Sequence, residues 1–221
     1  MVQRQIHVGG HKYQGADILL IHRYNGQDTI ITFAQRNHRG SFVNIAGGRC
    51  ETKHRDLEDT ASVELYEESC KSVFIASDVI RDMTKHGSFV DYPGDTHHDL
   101  PGRRRCFVAR APHVSTTLYN QNKRILDSLP VRRQLVPFLE TDAMVRIPVA
   151  DIEATLETGD SGHARIINGF NVSRFTITAY IRAKAAGLLS IPYNLGRVHY
   201  EQKANNNHNA LHSGRIDTYR F

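Results

Sequence analysis

The sequence predicts an α/β fold, a mixed sheet covered by helices on both faces. Three observations predict it. Apolar strand-like runs open the chain, a helical segment free of Gly and Pro follows them, and a second helix with an apolar face comes late, after further strands. At 221 residues this order fits one substantial core better than two full domains. A single domain is expected over residues 1–200. A polar tail is expected over 201–221, where Asn205-Asn-Asn-His-Asn209 reads as flexible.

Asp17-Ile-Leu-Leu-Ile-His22 reads as a buried strand and Thr29-Ile-Ile-Thr-Phe-Ala34 as its neighbour. Asn25-Gly26 between them signals a hairpin, with a loop longer than two residues. Ser41-Phe-Val-Asn-Ile45 makes a third strand, which ends at Gly47-Gly48. Asp56 then caps a helix running from Leu57 to about Ser69, with Asp59 as a weak capping-box partner. Ser72-Val-Phe-Ile-Ala76 returns to strand. Ser88–Tyr92 and Arg104–Ala109 form a pair joined by a loop from Pro93 to Gly102. Residues 113–140 read as a polar, basic connection with a short helix around Gln121 to Ser128. Met144–Ile147 is a further strand, and Pro148 opens a short helix from Val149 to Glu157. Ser173 caps a last helix from Arg174 to Ala186, stopped by Gly187, and Ile177, Ile181 and Ala185 turn one face of it to the sheet.

Composition narrows the function classes. No run of about 18 apolar residues appears, so no membrane span or membrane partner is expected. Met1 to Gly10 is polar and basic and lacks the apolar stretch of a secretory signal. Cys50, Cys70 and Cys106 make neither a disulfide framework nor a CxxC zinc pair, which fits an intracellular, most simply cytoplasmic, protein. A net charge of +5 suits polyanionic ligands such as nucleotides or RNA, and equally a merely soluble surface.

The segment from Gly47 to Ser69 carries the chemistry. At 100° per residue, Glu64, Glu67 and Glu68 fall within an arc of roughly 100° on one helix face. Glu64 and Glu68 repel as i,i+4 neighbours unless water or a cation intervenes. A hard cation wants such oxygen ligands, and carboxylates one turn apart can share one or two ions that neutralise a polyphosphate and activate water. The diglycine before the helix permits a tight turn and close backbone approach to a ligand. On its own, such a helix is more often just a solvated face.

The context resembles the Nudix box, G-x5-E-x7-R-E-U-x-E-E-x-G-U with U aliphatic. Gly48 matches its leading glycine and Glu64-Leu65-Tyr66-Glu67-Glu68 its E-U-x-E-E. Glu51 falls where many members carry a glutamate, and Ala46-Gly47-Gly48 stands where Pro-Gly-Gly is usual. The resemblance covers roughly residues 10–190 and implies a Nudix-type α/β/α sandwich. It implies a Mg2+- or Mn2+-dependent pyrophosphohydrolase whose substrate is a nucleoside diphosphate linked to another group: a nucleotide sugar, a dinucleotide or a capped RNA. Glu64, Glu67 and Glu68, with Gly48, would hold metal, and Glu64, Glu67 or Glu140 would orient or deprotonate the attacking water. Gly47, Gly48, Arg49, Arg105 and Arg36 would bind substrate, with the basic clusters 103–105 and 132–133 as phosphate holders. The partner expected is a nucleotide-type small molecule, with RNA and a homodimer left open.

The departures are specific. The step from Gly48 to Glu64 is one residue longer than in the pattern, and His54 or Arg55 stands at its first glutamate. Val63 replaces the arginine that braces the glutamates, Cys70 the glycine after the helix and Lys71 the next aliphatic residue. They motivate the alternative, a Nudix-fold protein that binds nucleotide or RNA with little or no hydrolysis.

Overall fold

The computed structural model describes residues 3–35, 42–95, 102–128, 140–157 and 162–195. The chain begins with β1 (Ile6–Val8), β2 (His11–Tyr24), β3 (Gln27–Gln35), β4 (Phe42–Asn44) and β5 (Ala46–Arg49). Helices α1 (Leu57–Glu68) and α2 (Ser77–Lys85) lead to β6 (Phe89–Pro93) and β7 (Arg103–Ala111). Next come α3 (Thr116–Ser128), β8 (Thr141–Pro148), α4 (Val149–Glu153), β9 (Arg165–Ile167) and β10 (Phe170–Val172). Helix α5 (Arg174–Ala185) and β11 (Tyr193–Asn194) close the described part. Among the described residues no helix is long and apolar enough to cross a membrane.

The sheet is mixed, with strand order β11-β7-β2-β3-β4-β10-β9 and with β1, β5, β6 and β8 attached off this path. Strand β2 is its spine. It runs parallel to β7 and antiparallel to β3 and β5. Tyr13 to His22 are buried without interruption, as expected for a strand covered on both faces. Ile18 and Leu20 pack with Leu57, Ala61 and Leu65 of α1 and Ile80 and Met83 of α2 in one core. Leu19 and Ile21 point the other way, into a second core with Ile177, Tyr180 and Ala183 of α5. Each such side chain is worth about 1.5–3 kcal/mol in burial, so alternation along one strand stabilises both layers. The architecture is the α/β/α sandwich with a mixed sheet.

The chain changes neighbours at Ile45. Val43 and Asn44 pair with Ala34 and Phe33 of β3, whereas Ala46 to Arg49 pair with Ile18 to Gly15 of β2. The candidate site lies over this crossing.

Several local expectations are corrected. The hairpin loop is two residues, Asn25-Gly26, both with positive φ, because Tyr24 pairs with Gln27. Gly47-Gly48 is the interior of β5 and not merely the end of a strand. Residues 72–76 make no strand beyond an isolated bridge residue at Phe74, and α2 follows them, its Ile80 and Met83 buried. The connection after residue 113 holds a helix that starts earlier, at Thr116. Asn168-Gly169 turns a short hairpin, β9–β10. The tail from residue 196 onward, Arg36, Arg132 and Arg133 lie outside the described residues.

Candidate functional site

Helix α1 starts where the sequence says it should. Asp56 accepts a hydrogen bond from the Asp59 amide, the N-cap arrangement. Its end is less ordinary. Cys70 and Lys71 both have positive φ, and their amides donate back to Glu67 and Tyr66, which makes a Schellman close without glycine. Cys70 therefore adopts the backbone that a glycine would take at the same step of the pattern, at a strain of about 1–2 kcal/mol. Neighbours hold that end. Thr141 Oγ1 donates to the Glu68 carbonyl at 2.8 Å, Tyr119 meets Thr141 at 2.9 Å, and Asn122 donates to the Cys70 carbonyl at 3.0 Å.

The helix aims its acidic face into a cavity of about 700 Å³. Glu64, Glu67 and Glu68 line it from α1, Glu51 from the preceding loop and Glu140 from the start of the β8 segment. The opposite lining includes Gly47, Gly48, Arg49, Asn44, Gln35 and Phe175. The expected glutamates and the diglycine are thus brought together around one space.

Each carboxylate is held differently. Glu68 is almost fully buried and accepts from the Gly47 amide at 2.9 Å and from Gln35 at 3.0 Å. Burial outweighs both bonds and pushes its pKa up to about 8. Glu64 packs on Gly48 so closely that a Cβ there would collide with its carboxylate. Burial, then Glu67 and Glu68, raise Glu64 well above the usual carboxylate range. Glu67 is raised by burial against the opposing Lys53 ammonium, 3.3 Å away. Glu140 is raised by burial and by Glu51. Raised acids crowded in one cavity make a site that favours positive charge.

The oxygen donors suit a hard divalent cation in kind, and Gly48 leaves space where a side chain would fill it. Among the described residues, no three His, Cys, Asp or Glu side chains stand close enough together to cage an ion as they are oriented. Binding one would require the glutamates to turn toward each other within the cavity.

The basic residues divide. Arg49 lines the cavity. Arg105, expected to bind substrate, does not. It is buried against Asp91 at 2.9 Å and stacks on Phe89 and Tyr13, because its position on β7 faces the packed β6 side. Arg36 is not among the described residues. Arg55 is paired with Asp59 at 3.2 Å and does not replace the missing brace, while Val63 is nearly buried.

Sequence reasoning missed Asp17, Asn44 and Lys53, and it took Arg104 for part of a phosphate-holding cluster, whereas the side chain is buried in an ion pair. Arg104 binds the fully buried Asp17 through Nε and Nη2, and Tyr92 donates to the same carboxylate. The Arg104 guanidinium also donates to the Gly48 carbonyl at 3.0 Å and lies 5.3 Å over the Phe175 ring. Asn44 Oδ1 accepts from Thr176 and Ser173, which turns its amide nitrogen away from them. The run of three arginines was a visible signal, but alternation along β7 alone does not say which member faces the diglycine strand.

No family model matches the sequence, and no curated protein does. Solved structures do. One is the Nudix domain of Shewanella oneidensis NrtR complexed with ADP ribose, at 11% identity and a TM-score of 0.46, covering 79% of this chain and 87% of that one. Another is a mutT/nudix family protein from Listeria innocua, at 14% identity and a TM-score of 0.41, covering 80% of this chain and 94% of that one. Both of these solved structures are of Nudix type, and the likeness is one of fold.

Proposed function

We propose that the cavity binds a nucleotide-type polyphosphate together with Mg2+ or Mn2+ and hydrolyses a phosphoric anhydride in it. One observation carries the reading: Glu64, Glu67 and Glu68 are placed with Glu51 and Glu140 around a single cavity floored by the Gly47-Gly48 backbone. Burial leaves these carboxylates short of positive charge, and a basic chain carries an acidic pocket that a cation would neutralise.

Glu64, Glu67 and Glu68, packed over Gly48, would hold the ion. When bound, the ion offsets phosphate charge and lowers the pKa of water. The chain's own residues do the rest. The Gly47 amide and Gln35 fix the Glu68 carboxylate. Arg49 faces the phosphate. Glu140, exposed at the rim of the cavity, accepts the proton of the attacking water.

The test is incubation with Mg2+ or Mn2+ and a panel of ADP-ribose, dinucleoside polyphosphates, NADH, nucleoside triphosphates and capped RNA. A nucleotide product that disappears in Glu67→Gln and Glu68→Gln supports hydrolysis. No turnover across the panel with retained binding supports the second reading, a nucleotide- or RNA-binding protein. Val63 favours that second reading, because a bracing arginine is absent at its position and lost support of this kind costs a metal site roughly 10–100-fold.

A further inference from the structure

Lys53 stands on the loop between β5 and α1, its side chain 44% exposed. Its ammonium lies 3.3 Å from Glu51 and 3.3 Å from Glu67. The same charge is felt by Glu64 and Glu140. A flexible, hydrated monovalent cation thus sits among the carboxylates proposed to receive a divalent one. Sharing Glu67 would set two cations against each other across one carboxylate. An ion about 2.1 Å from a Glu67 oxygen would face an ammonium only a few ångströms away. The exposed stem of Lys53, with its four rotatable bonds, can swing out.

We propose that Lys53 is a tethered counter-ion that holds Glu51 and Glu67 in the ion-free protein and is displaced when a divalent cation enters, so that it sets the cation affinity of the cavity. Displacement exchanges one charge for two on the same oxygens and frees an ammonium at the rim. Lys53 acts here as a positioning residue, through Glu67.

The proposal rests on the reading of the cavity as a cation site, and the experiment separates the two. Mn2+ is titrated into the full chain, and free Mn2+ is followed by electron paramagnetic resonance for wild type, Lys53→Met and Lys53→Arg. In parallel, acetylation of Lys53 by an N-hydroxysuccinimide ester is read by mass spectrometry without ion and with Mg2+. This second arm uses wild-type protein and so does not depend on a variant folding. Lys53→Met is expected to bind Mn2+ roughly ten-fold more tightly, as loss of a nearby like charge requires, and Lys53→Arg to stay close to wild type. Mg2+ is expected to raise Lys53 acetylation several-fold. Unchanged or weaker Mn2+ binding in Lys53→Met, or acetylation indifferent to Mg2+, overturns the counter-ion proposal and leaves the cation site standing. Absence of Mn2+ binding in wild type and variant alike overturns both.

Discussion

The guanidinium of Arg104 joins the buried Asp17 to the Gly48 carbonyl, so a core ion pair sets the height of the strand on which the acidic cavity rests. Gly15 makes room for this, since a Cβ there would stand 2.6 Å from an Arg104 nitrogen. Asp17 is fully buried, and removing its partner strands a charge. Arg104→Leu is expected to cost about 3–5 kcal/mol in urea unfolding. Adding Asp17→Asn to that variant should recover part of the loss. A cost below 1 kcal/mol would show that the pair does not carry the strand.

Gly48 is required by what lies over it. Gly48→Ala places a Cβ against the Glu64 carboxylate, which must turn away or push α1 outward. The expected stability loss is about 1–3 kcal/mol. The larger effect is expected on Mn2+ affinity, measured by titration calorimetry. Unchanged Mn2+ binding in a folded Gly48→Ala protein would remove Glu64 from the ion site.

The pH dependence has a definite sign. The pKa of Glu68 is raised on folding to about 8, so between its unfolded value near 4.5 and 8 the folded state binds the extra proton. Stability must therefore fall as pH rises through this window. Burial lowers the His54 pKa to about 4, so His54 acts below its unfolded value of 6.5, where it removes stability as pH falls. Between pH 6.5 and 8.5 the histidine no longer contributes, and the slope comes from the raised carboxylates, Glu68 together with Glu64. In EDTA, the Tm of the wild type should fall across that range, and Glu68→Gln should make the slope shallower. The difference is expected on the order of a few kcal/mol at most. Mg2+ should recover stability most at the alkaline end, where the carboxylates are charged. Parallel slopes for wild type and Glu68→Gln would contradict the assignment.

Thr141 holds the end of α1 from another strand. Its hydroxyl satisfies the Glu68 carbonyl inside the core. Thr141→Val keeps the shape and removes the donor, for an expected loss of about 1–3 kcal/mol. Because Glu67 and Glu68 sit on that last turn, Mn2+ affinity should fall with it. A loss of stability with unchanged Mn2+ affinity would show that the turn does not position the carboxylates.

Helix α1 and its cap were legible because their causes are local. Asp56 and Asp59 lie three residues apart, and helical geometry alone puts Glu64, Glu67 and Glu68 on one face. The same holds for Ser173 capping α5. Helix α2 was missed: Ile80 and Met83 stand three residues apart on its buried face, but the apolar residues just before it read as strand and drew the eye away from a helix. Arg105 shows the limit from the other side. Its composition argued for phosphate, and its position on β7 gave it to Asp91.

By itself the sequence determined the α/β class, the place of the acidic helix and the identity of its three glutamates, since periodicity and capping act within a few residues. Only the tertiary structure decided what those glutamates meet. It crossed β5 from β3 to β2, set Gly48 beneath Glu64, chose Arg104 over Arg105 and brought Lys53 to Glu67. The physical reason is that pairing register and burial are settled between segments far apart in the chain, and it is burial that raises the carboxylates and leaves them in want of a cation.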